Sequence, residues 1–267
     1  MDTAYTTPRG GLAIDLNADV GEDCSPQGIA RDRAMMAYVS SISIAAGGHA
    51  GDETVMAALV EEAGERGVGI GVHPAYPDRE GFGRRSMEMP PDVLEHELAM
   101  QVACLGRVVR ERGFRLMHLK PHGALYHAAS CSRGIAEAIV RAGGRWSDDL
   151  VYVGGAGSAA IATWKAMGVP TASEVFADRV YEPDGTLRDR ALPGALLHVQ
   201  EACTQVDRLV RGGGVVTTCG RSLALRAQTI GMHSDTPGAV ELAAKVRHAV
   251  EQAGCRVEPL GRYNPAI

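Results

Sequence analysis

The sequence has few aromatic residues, no closely paired cysteines and no long hydrophobic run. Aromatic residues make up 4% of the 267 residues, and no apolar stretch approaches the length that crosses a membrane. The first 11 residues have no apolar core, which excludes a signal peptide. The six cysteines show neither a disulfide framework nor zinc-type spacing. These absences predict a cytoplasmic protein with reduced thiols and no membrane partner.

Charge and nucleotide motifs exclude further classes of function. The formal net charge is −5 and the pI is about 6.0, so the chain lacks the basic surface expected for binding nucleic acid or an anionic membrane. A phosphate-binding loop of the form Gly-x-x-x-x-Gly-Lys-Ser/Thr is absent from the sequence. We therefore expect a small-molecule ligand.

Short apolar runs alternate with amphipathic helical patterns, which is typical of repeated β/α units and predicts a parallel β/α barrel. The 45% hydrophobic content and 33 glycines suit a large core with many tight turns. We expect residues 1–11 to form a flexible extension and residues 12–267 to form a single domain. The predicted strands lie near 12–18, 41–46, 68–73, 115–120, 150–154, 169–176 and 225–232, with a possible eighth at 215–218.

Five of these strands end in polar side chains. Strand ends of a parallel barrel converge on one mouth, where such folds keep their chemistry. We therefore expect one site there, beneath the long, charged loops 74–90 and 177–196. The polar groups at the strand ends are Asp15, Asn17, Asp19, His49, His73, His118, Lys120, His122, His233 and Asp235.

Two rows of alternating polar residues are the strongest signals. Strand periodicity places Asp15, Asn17 and Asp19 on one face, whereas Glu22 and Asp23 fit helix capping or a turn. His118, Lys120 and His122 also alternate, and an ammonium between two imidazoles favours neutral histidines. Lys120 is then the group that stabilises charge developing on an oxygen, and replacing it by methionine is expected to leave folding little changed.

Helix starts and one glycine loop supply weaker signals. His49 precedes a helix capped by Asp52, and His233 precedes a helix start predicted at Thr236, so both positions favour an anion. The segment 155–160 resembles a dinucleotide fingerprint, with Glu174 at the distance of a ribose-binding acid, but a loop for another phosphate or carboxylate fits better. His96, His198 and His248 fit exposed helix faces.

Six ordered segments resemble the motifs of the LamB/YcsF lactam-utilisation family, whose bacterial members act as the A subunit of 5-oxoprolinase. The resemblance implies a distorted seven-stranded β/α barrel related to polysaccharide deacetylases. It also implies that the protein opens 5-oxo-L-proline to L-glutamate at the expense of ATP, together with subunits B and C. The segments are Asp15-Leu-Asn-Ala-Asp-Val-Gly-Glu22, His49-Ala-Gly-Asp52, residues 73–85, Lys120-Pro-His-Gly-Ala-Leu-Tyr126, Glu174-Val-Phe-Ala-Asp-Arg179 and residues 233–240.

The residue patterns and the resemblance together predict the site. Asp19 or His122 is the candidate base, and an arginine of the loop at 79–85 is expected to pair with the substrate carboxylate. Candidate catalytic residues are Asp19, His49, His73, Lys120, His122, His233 and Asp235. Candidate substrate-binding residues are Asp15, Asn17, Arg79, Arg84, Arg85, His118, Asp178 and Arg179.

Two alternatives to an ATP-dependent lactam hydrolase stay open. Asp19, His49 and His73 form a plausible trio of ligands for a divalent metal, which would suit an amidohydrolase or deacetylase acting without ATP. The second alternative is a non-catalytic subunit that only holds substrate. That alternative leaves the row at His118, Lys120 and His122 unexplained.

Overall fold

The computed structural model describes residues 12–260; the predicted flexible extension at 1–11 and residues 261–267 lie outside the described residues. Seven parallel strands close into a barrel, because the last of them pairs back to the first, which confirms the predicted fold class. The strands in chain order are β1 Ala13–Val20, β2 Ser41–Ala45, β3 Gly69–His73, β4 Leu116–Leu119, β5 Val151–Gly155, β6 Thr171–Phe176, β7 Val215–Val216, β8 Ser222–Leu223, β9 Thr229–His233 and β10 Arg256–Val257.

The barrel order is β1-β2-β3-β4-β5-β6-β9, and the short β10 adds to the outside of β1. The possible eighth barrel strand at 215–218 is wrong. Val215–Val216 instead pairs antiparallel with Ser222–Leu223 as a separate two-stranded sheet. Thr217 and Gly220 continue that short hairpin through backbone hydrogen bonds, so these residues leave the barrel.

Helices follow the strands and cover the barrel. The Asp52 side chain caps α2 by accepting from the Val55 N–H at 2.9 Å, as predicted. α8 begins at Ala239, two residues after the predicted first helical residue Pro237, because Gly238 has a left-handed φ of 78° that is incompatible with a helix. The helices are α1 Pro26–Met35, α2 Glu53–Arg66, α3 Pro91–Glu111, α4 Gly123–Cys131, α5 Arg133–Gly144, α6 Ala159–Ala166, α7 Val199–Val210 and α8 Ala239–Gln252.

The strands separate an apolar layer from a polar barrel interior. Ile14, Leu16 and Ala18 on β1 belong to the main hydrophobic cluster, whereas the alternate residues of the same strand are polar and buried. Gly71 shows how tightly the interior is filled, since a Cβ at this position would lie 2.0 Å from His118 Nε2. The hydrophobic effect therefore acts on the outer face of each strand and leaves the inner face available for polar chemistry.

Two predictions from composition can be compared with the fold. All six cysteines are free, as expected for reduced thiols. Within residues 12–260, the helices are too short or too polar to span a bilayer.

Candidate active site

A cavity of about 530 Å³ opens at the C-terminal mouth of the barrel. Its volume suits a small ligand. Most of the predicted catalytic residues reach it, because they follow β1, β3, β4 and β9 at the same end of the barrel. The lining includes Asp19, His73, Lys120, His122 and His233 from the predicted catalytic set and Arg84 and Arg179 from the predicted substrate-binding set.

Lys120 is the charged centre of the cavity floor. Its Nζ lies 2.7 Å from Asp19 Oδ1 and 2.8 Å from Glu174 Oε1, and its side chain is 1% exposed. Burial alone would lower the pKa of Lys120, but the two carboxylates raise it above the ordinary lysine value. Lys120 therefore stays an ammonium, and it lines the cavity, where its charge can stabilise a negatively charged oxygen.

Glu174 is a site residue that sequence reasoning placed elsewhere. It lies on β6, is 1% exposed and is paired with Lys120, so it cannot serve as the ribose-binding acid of a dinucleotide fold. The signal available from sequence was a single carboxylate inside an otherwise uncharged strand, which needs a buried cationic partner.

A second cluster joins three imidazoles and one carboxylate beside the cavity. Glu22 Oε1 lies 3.0 Å from His49 Nε2 and 3.1 Å from His122 Nδ1. His73 Nε2 lies 3.1 Å from His122 Nδ1, and the His49 and His122 rings stack with centroids 3.7 Å apart. The interpretation of Glu22 as a capping residue is therefore wrong, since the turn after β1 directs its side chain to the histidines.

Two buried histidines inside the barrel, His73 and His118, are neutral, and of these His118 was expected to be so from the sequence. Burial is the main cause that lowers the pKa of His73 to about 3, and burial followed by the Lys120 charge lowers the pKa of His118 to about 3. Neither imidazole carries charge near pH 7, so the cationic character of this region comes from Lys120.

His233 forms a different kind of pair, with Asp178. Its Nδ1 lies 2.9 Å from Asp178 Oδ2, and the ring stacks on Phe176 with centroids 4.9 Å apart. Burial by itself lowers the pKa of His233, but the charge and hydrogen bond of Asp178 raise it above the ordinary histidine value. The carboxylate fixes the proton on Nδ1 and leaves Nε2 free for proton transfer.

The two long loops meet over the mouth, as predicted. Asp235 lies 2.9 Å from Arg84 Nη2 of the loop 74–90 and 2.7 Å from Arg190 Nη2 of the loop 177–196. Asp235 thus links the two loops at the rim, and it lines a shallow neighbouring pocket. Arg190 lines the main cavity and was not predicted, because nothing in its local sequence distinguishes it from other loop arginines.

Three predicted substrate-binding residues lie beneath the cavity. Asp15, Asn17 and His118 are fully buried and absent from the cavity lining. Asp15 accepts hydrogen bonds from Ser40, Ser41 and Thr229, and Asn17 bonds Ser41, Ser43 and His118. They lie one or two layers of side chains below the strand ends, and their hydrogen bonds stabilise the interior of the barrel.

Two predicted arginines also lie away from the cavity. Arg79 donates to the carbonyl oxygens of Gly47 and Gly51, so it braces the loop that carries His49. Arg85 is 64% exposed and lies near Asp78. Of the three arginines predicted in this loop, only Arg84 lines the cavity.

Four histidines remain, of which three are exposed and one lines the cavity. His96, His198 and His248 are exposed, as predicted. His127 on α4 lines the cavity together with Tyr126, and the hydroxyl of Tyr126 is buried without a hydrogen-bond partner among residues 12–260. Both lie in the first turn and a half of α4, shortly after Lys120 in the chain, and this proximity was the signal available from sequence.

Comparisons with known proteins agree with this architecture. The model of the LamB/YcsF family matches residues 14–264. The A subunit of 5-oxoprolinase from Chloroflexus aggregans is 45% identical over 247 residues, which cover 92% of this chain and 98% of that protein. The crystal structure of the lactam utilization protein from Thermus thermophilus superposes with a TM-score of 0.86 at 35% identity, covering 93% of this chain and 100% of that one.

A more distant structural neighbour shows the breadth of the fold. The family 4 carbohydrate esterase from Streptomyces lividans covers 97% of this chain and 97% of its own, with a TM-score of 0.50 and 11% identity. That likeness is one of fold alone. It supports the predicted fold class.

Proposed function

The chain belongs to the LamB/YcsF family, and from this premise we propose that it is the A subunit of an ATP-dependent 5-oxoprolinase. With subunits B and C it would hydrolyse the lactam of 5-oxo-L-proline to L-glutamate. The observation that carries the proposal is the nearly end-to-end similarity to relatives named as the A subunit of 5-oxoprolinase. The cavity contributes a second argument, because it combines a small volume with the charges that this substrate requires.

Recognition of the substrate carboxylate is assigned to Arg179. This residue lines the cavity and is 5% exposed, and its Nε has no hydrogen-bond partner among residues 12–260. Its neighbour in sequence, Asp178, is paired with His233 instead. A carboxylate that bound Arg179 would satisfy a buried donor, which makes this arginine a better match than those of the 79–85 loop.

Lactam opening proceeds through three events that the cavity residues can assist. Water adds to the carbonyl carbon, the C–N bond breaks, and the nitrogen takes a proton. Lys120 is placed to stabilise the charge that develops on the lactam oxygen. His233, held by Asp178, is the best group for moving a proton, because Asp178 raises the pKa of His233 whereas burial lowers that of His73 to about 3.

ATP and the partner subunits enter as parts of the same proposal. An amide is a poor electrophile, and phosphorylation of the lactam oxygen would make the carbonyl carbon reactive toward water. The sequence has no conventional phosphate-binding loop, which favours a nucleotide site that involves subunits B and C. The relatives are each named as one subunit of an enzyme, which supports such an assembly.

The test is reconstitution from purified subunits. The isolated chain is expected to release negligible glutamate from 5-oxoproline, with or without ATP, and to gain activity when subunits B and C are added. A His96→Ala variant serves as a control, because His96 is exposed on α3, and it should match the wild type. Glutamate release by the isolated chain at ordinary enzymatic rates would contradict the proposal.

A metal-dependent amidohydrolase acting without ATP is the second candidate. The cluster of Glu22, His49, His73 and His122 favours it, because these residues form a group that could hold a metal ion. It predicts that the isolated chain, loaded with metal, hydrolyses an amide substrate without ATP. The reconstitution assay distinguishes the two candidates, since only the 5-oxoprolinase needs both ATP and partner subunits.

A further inference from the structure

The Glu22, His49, His73 and His122 cluster has the properties of a cation site, and we propose that it binds one divalent transition-metal ion of the Zn²⁺ class. The four side chains come from the turn after β1, the loop after β2, the end of β3 and the residue before α4. The proposal does not depend on the lactam reaction. It would hold for any activity that the cavity supports.

The spacing of the four ligand atoms is that of a coordination shell. Zn²⁺ binds imidazole nitrogen at about 2.0–2.1 Å, which places neighbouring ligands of a tetrahedron roughly 3.3–3.4 Å apart. Glu22 Oε1 lies 3.0 Å from His49 Nε2, 3.1 Å from His122 Nδ1 and 3.9 Å from His73 Nε2. All four atoms lie within 4.8 Å of one another. Small side-chain movements would therefore complete the shell.

Hydrogen bonds at the far side of two rings determine where their lone pairs point. His73 Nδ1 lies 2.7 Å from the Lys120 carbonyl oxygen, and His122 Nε2 lies 2.9 Å from the Phe82 carbonyl oxygen. A carbonyl oxygen only accepts, so each of these nitrogens must carry the proton. When both rings are neutral, the lone pairs of His73 Nε2 and His122 Nδ1 face each other at 3.1 Å.

Two lone pairs and a carboxylate oxygen that converge in a buried place repel one another unless a cation lies between them. His73 and His49 are each 2% exposed and the Glu22 side chain is 4% exposed, so bulk water does not screen the contact. The backbone acceptors behind His73 and His122 are the partners that metal-bound histidines use to fix ring orientation. The cluster thus has both an inner set of ligands and outer support.

The ligand types select among divalent ions. Three imidazole nitrogens and one carboxylate oxygen suit Zn²⁺ or a neighbouring transition metal, whereas Mg²⁺ and Ca²⁺ prefer oxygen ligands. The trio of Asp19, His49 and His73 expected from sequence is therefore revised. Asp19 Oδ1 is bound by Lys120, and Asp19 Oδ2 lies 3.5 Å from His73 Nε2. Glu22 takes its place, while Asp19 lies next to the site.

The position of the cluster connects it with the cavity. His73 and His122 contribute to both, so an ion there would lie at the cavity wall, close to Asp19 and Lys120. A divalent ion in this place supplies a Lewis acid beside the bound substrate.

Metal binding to the purified full-length chain is the direct test. After removal of metal with a chelator, the protein is reloaded with Zn²⁺ or Co²⁺ and its metal content is measured by elemental analysis. We expect about one equivalent per chain, a rise in the melting temperature on Zn²⁺ addition, and a Co²⁺ spectrum without thiolate charge transfer. The last criterion matters because Cys24, Cys131 and Cys219 are exposed.

Variants locate the ion within the cluster. Glu22→Gln and His73→Gln should each weaken Zn²⁺ binding by more than the roughly 10- to 100-fold typical of losing an outer hydrogen-bond partner. His127→Gln is the matched control, because His127 lines the same cavity but lies outside the cluster, and it should bind like the wild type. Circular dichroism of each metal-free variant verifies folding.

Three outcomes would overturn the proposal. The first is a wild-type chain that takes up no Zn²⁺ or Co²⁺ after reloading. The second is uptake that persists at wild-type affinity in the folded Glu22→Gln and His73→Gln variants. The third is a thiolate-type Co²⁺ spectrum, which would mean adventitious binding at cysteine. None of these results bears on reconstitution of 5-oxoproline hydrolysis, so the two proposals can fail separately.

Discussion

At the scale of single residues, Lys120 is the group whose environment differs most from expectation. The residue row at 118–122 indicates a lysine between histidines, but the structure surrounds its ammonium with the carboxylates of Asp19 and Glu174. The cation and its two partners are nearly inaccessible to solvent. Removing one member of a buried charged group leaves the others uncompensated, which costs more than the pair itself contributes.

Lys120→Met is therefore expected to reduce both catalysis and stability. Loss of a preorganised donor should lower kcat of the reconstituted enzyme on the order of a hundredfold, while KM changes far less. The free energy of unfolding should fall by about 3–5 kcal/mol at neutral pH, so the expectation that folding is little changed is revised. Urea unfolding followed by circular dichroism measures the second effect.

The double variant with Glu174→Gln separates the two roles. Neutralising one carboxylate should restore part of the stability that Lys120→Met loses, without restoring kcat. Equal stabilities of the single and double variants would show that the charges at Lys120 and Glu174 are not coupled.

Asp15 provides a pH-dependent contribution to stability. Burial raises its pKa from 3.8 to about 6, although hydrogen bonds from Thr229, Ser40 and Ser41 and the Lys120 charge favour the ionised form. The folded state thus holds the proton more tightly than the unfolded state. The stabilisation is complete below pH 3.8 and is lost as the pH rises through about 6.

Asp15→Asn should remove this dependence. Between pH 5 and pH 7.5 the wild type is expected to lose about 1 kcal/mol of unfolding free energy from this group, given 1.36 kcal/mol per pKa unit, and the variant should not. Asp149→Asn is the control, because the Asp149 side chain is 76% exposed. Parallel pH profiles for wild type and Asp15→Asn, measured by urea unfolding, would refute the assignment.

At the scale of elements, the two long loops act together. The loop at 74–90 contributes Arg84 and the loop at 177–196 contributes Arg190, and both donate to Asp235 after β9. The three side chains are 43%, 23% and 30% exposed, so solvent weakens each ion pair. Their importance lies in positioning the rim of the cavity.

Asp235→Asn should loosen this rim. An exposed ion pair is worth about 0.2–1 kcal/mol, so we expect KM for 5-oxoproline to rise by up to about fivefold with kcat less affected. Limited proteolysis of the isolated chain should cut the two loops faster, which is a readout independent of activity. Glu80→Gln is the control, because the Glu80 side chain is 91% exposed in the same loop; equal rates of cleavage in both variants would contradict the role of Asp235.

At the scale of the whole molecule, closure of the barrel makes distant parts of the chain depend on one another. β1 pairs with β2 on one side and with β9 on the other, although more than 200 residues of chain lie between Asp15 and Thr229. Hydrogen bonds from both chain regions meet at the Asp15 carboxylate. None of the strands β2 to β6 can be lost without opening the barrel.

We therefore expect residues 12–260 to unfold in one cooperative transition. Urea curves from far-ultraviolet circular dichroism and from tryptophan fluorescence should coincide, because Trp164 packs fully buried on α6 whereas the dichroism reports all helices. Asp15→Asn should shift both curves equally. Two separated midpoints would show that the predicted single domain consists of independently folding parts.

The strands and the location of the site could be predicted from sequence because both depend on local patterns. Alternation of apolar and polar residues assigns β1 and its inward face, and parallel topology brings His73, Lys120 and His233 to one mouth. Glu22 and Glu174 could not be assigned, since their roles depend on side chains far away in the chain. The local sequence of Glu22 resembles that of a helix-capping residue. Only the tertiary structure shows that three histidines from distant parts of the chain contact its carboxylate.

The sequence by itself determined the fold class, the positions of the barrel strands and the end of the barrel expected to carry the chemistry, because periodicity is encoded within each segment, whereas the structure decided that residues 215–218 are not an eighth barrel strand. Only the tertiary structure decided how deep each polar side chain lies in the barrel and which charged groups pair with one another. It placed Asp15, Asn17 and His118 below the cavity, although they share a face with Asp19 and Lys120. The reason is geometric: successive inward residues of a strand lie about 6.6 Å apart along it, so membership of a face does not say which layer meets the substrate.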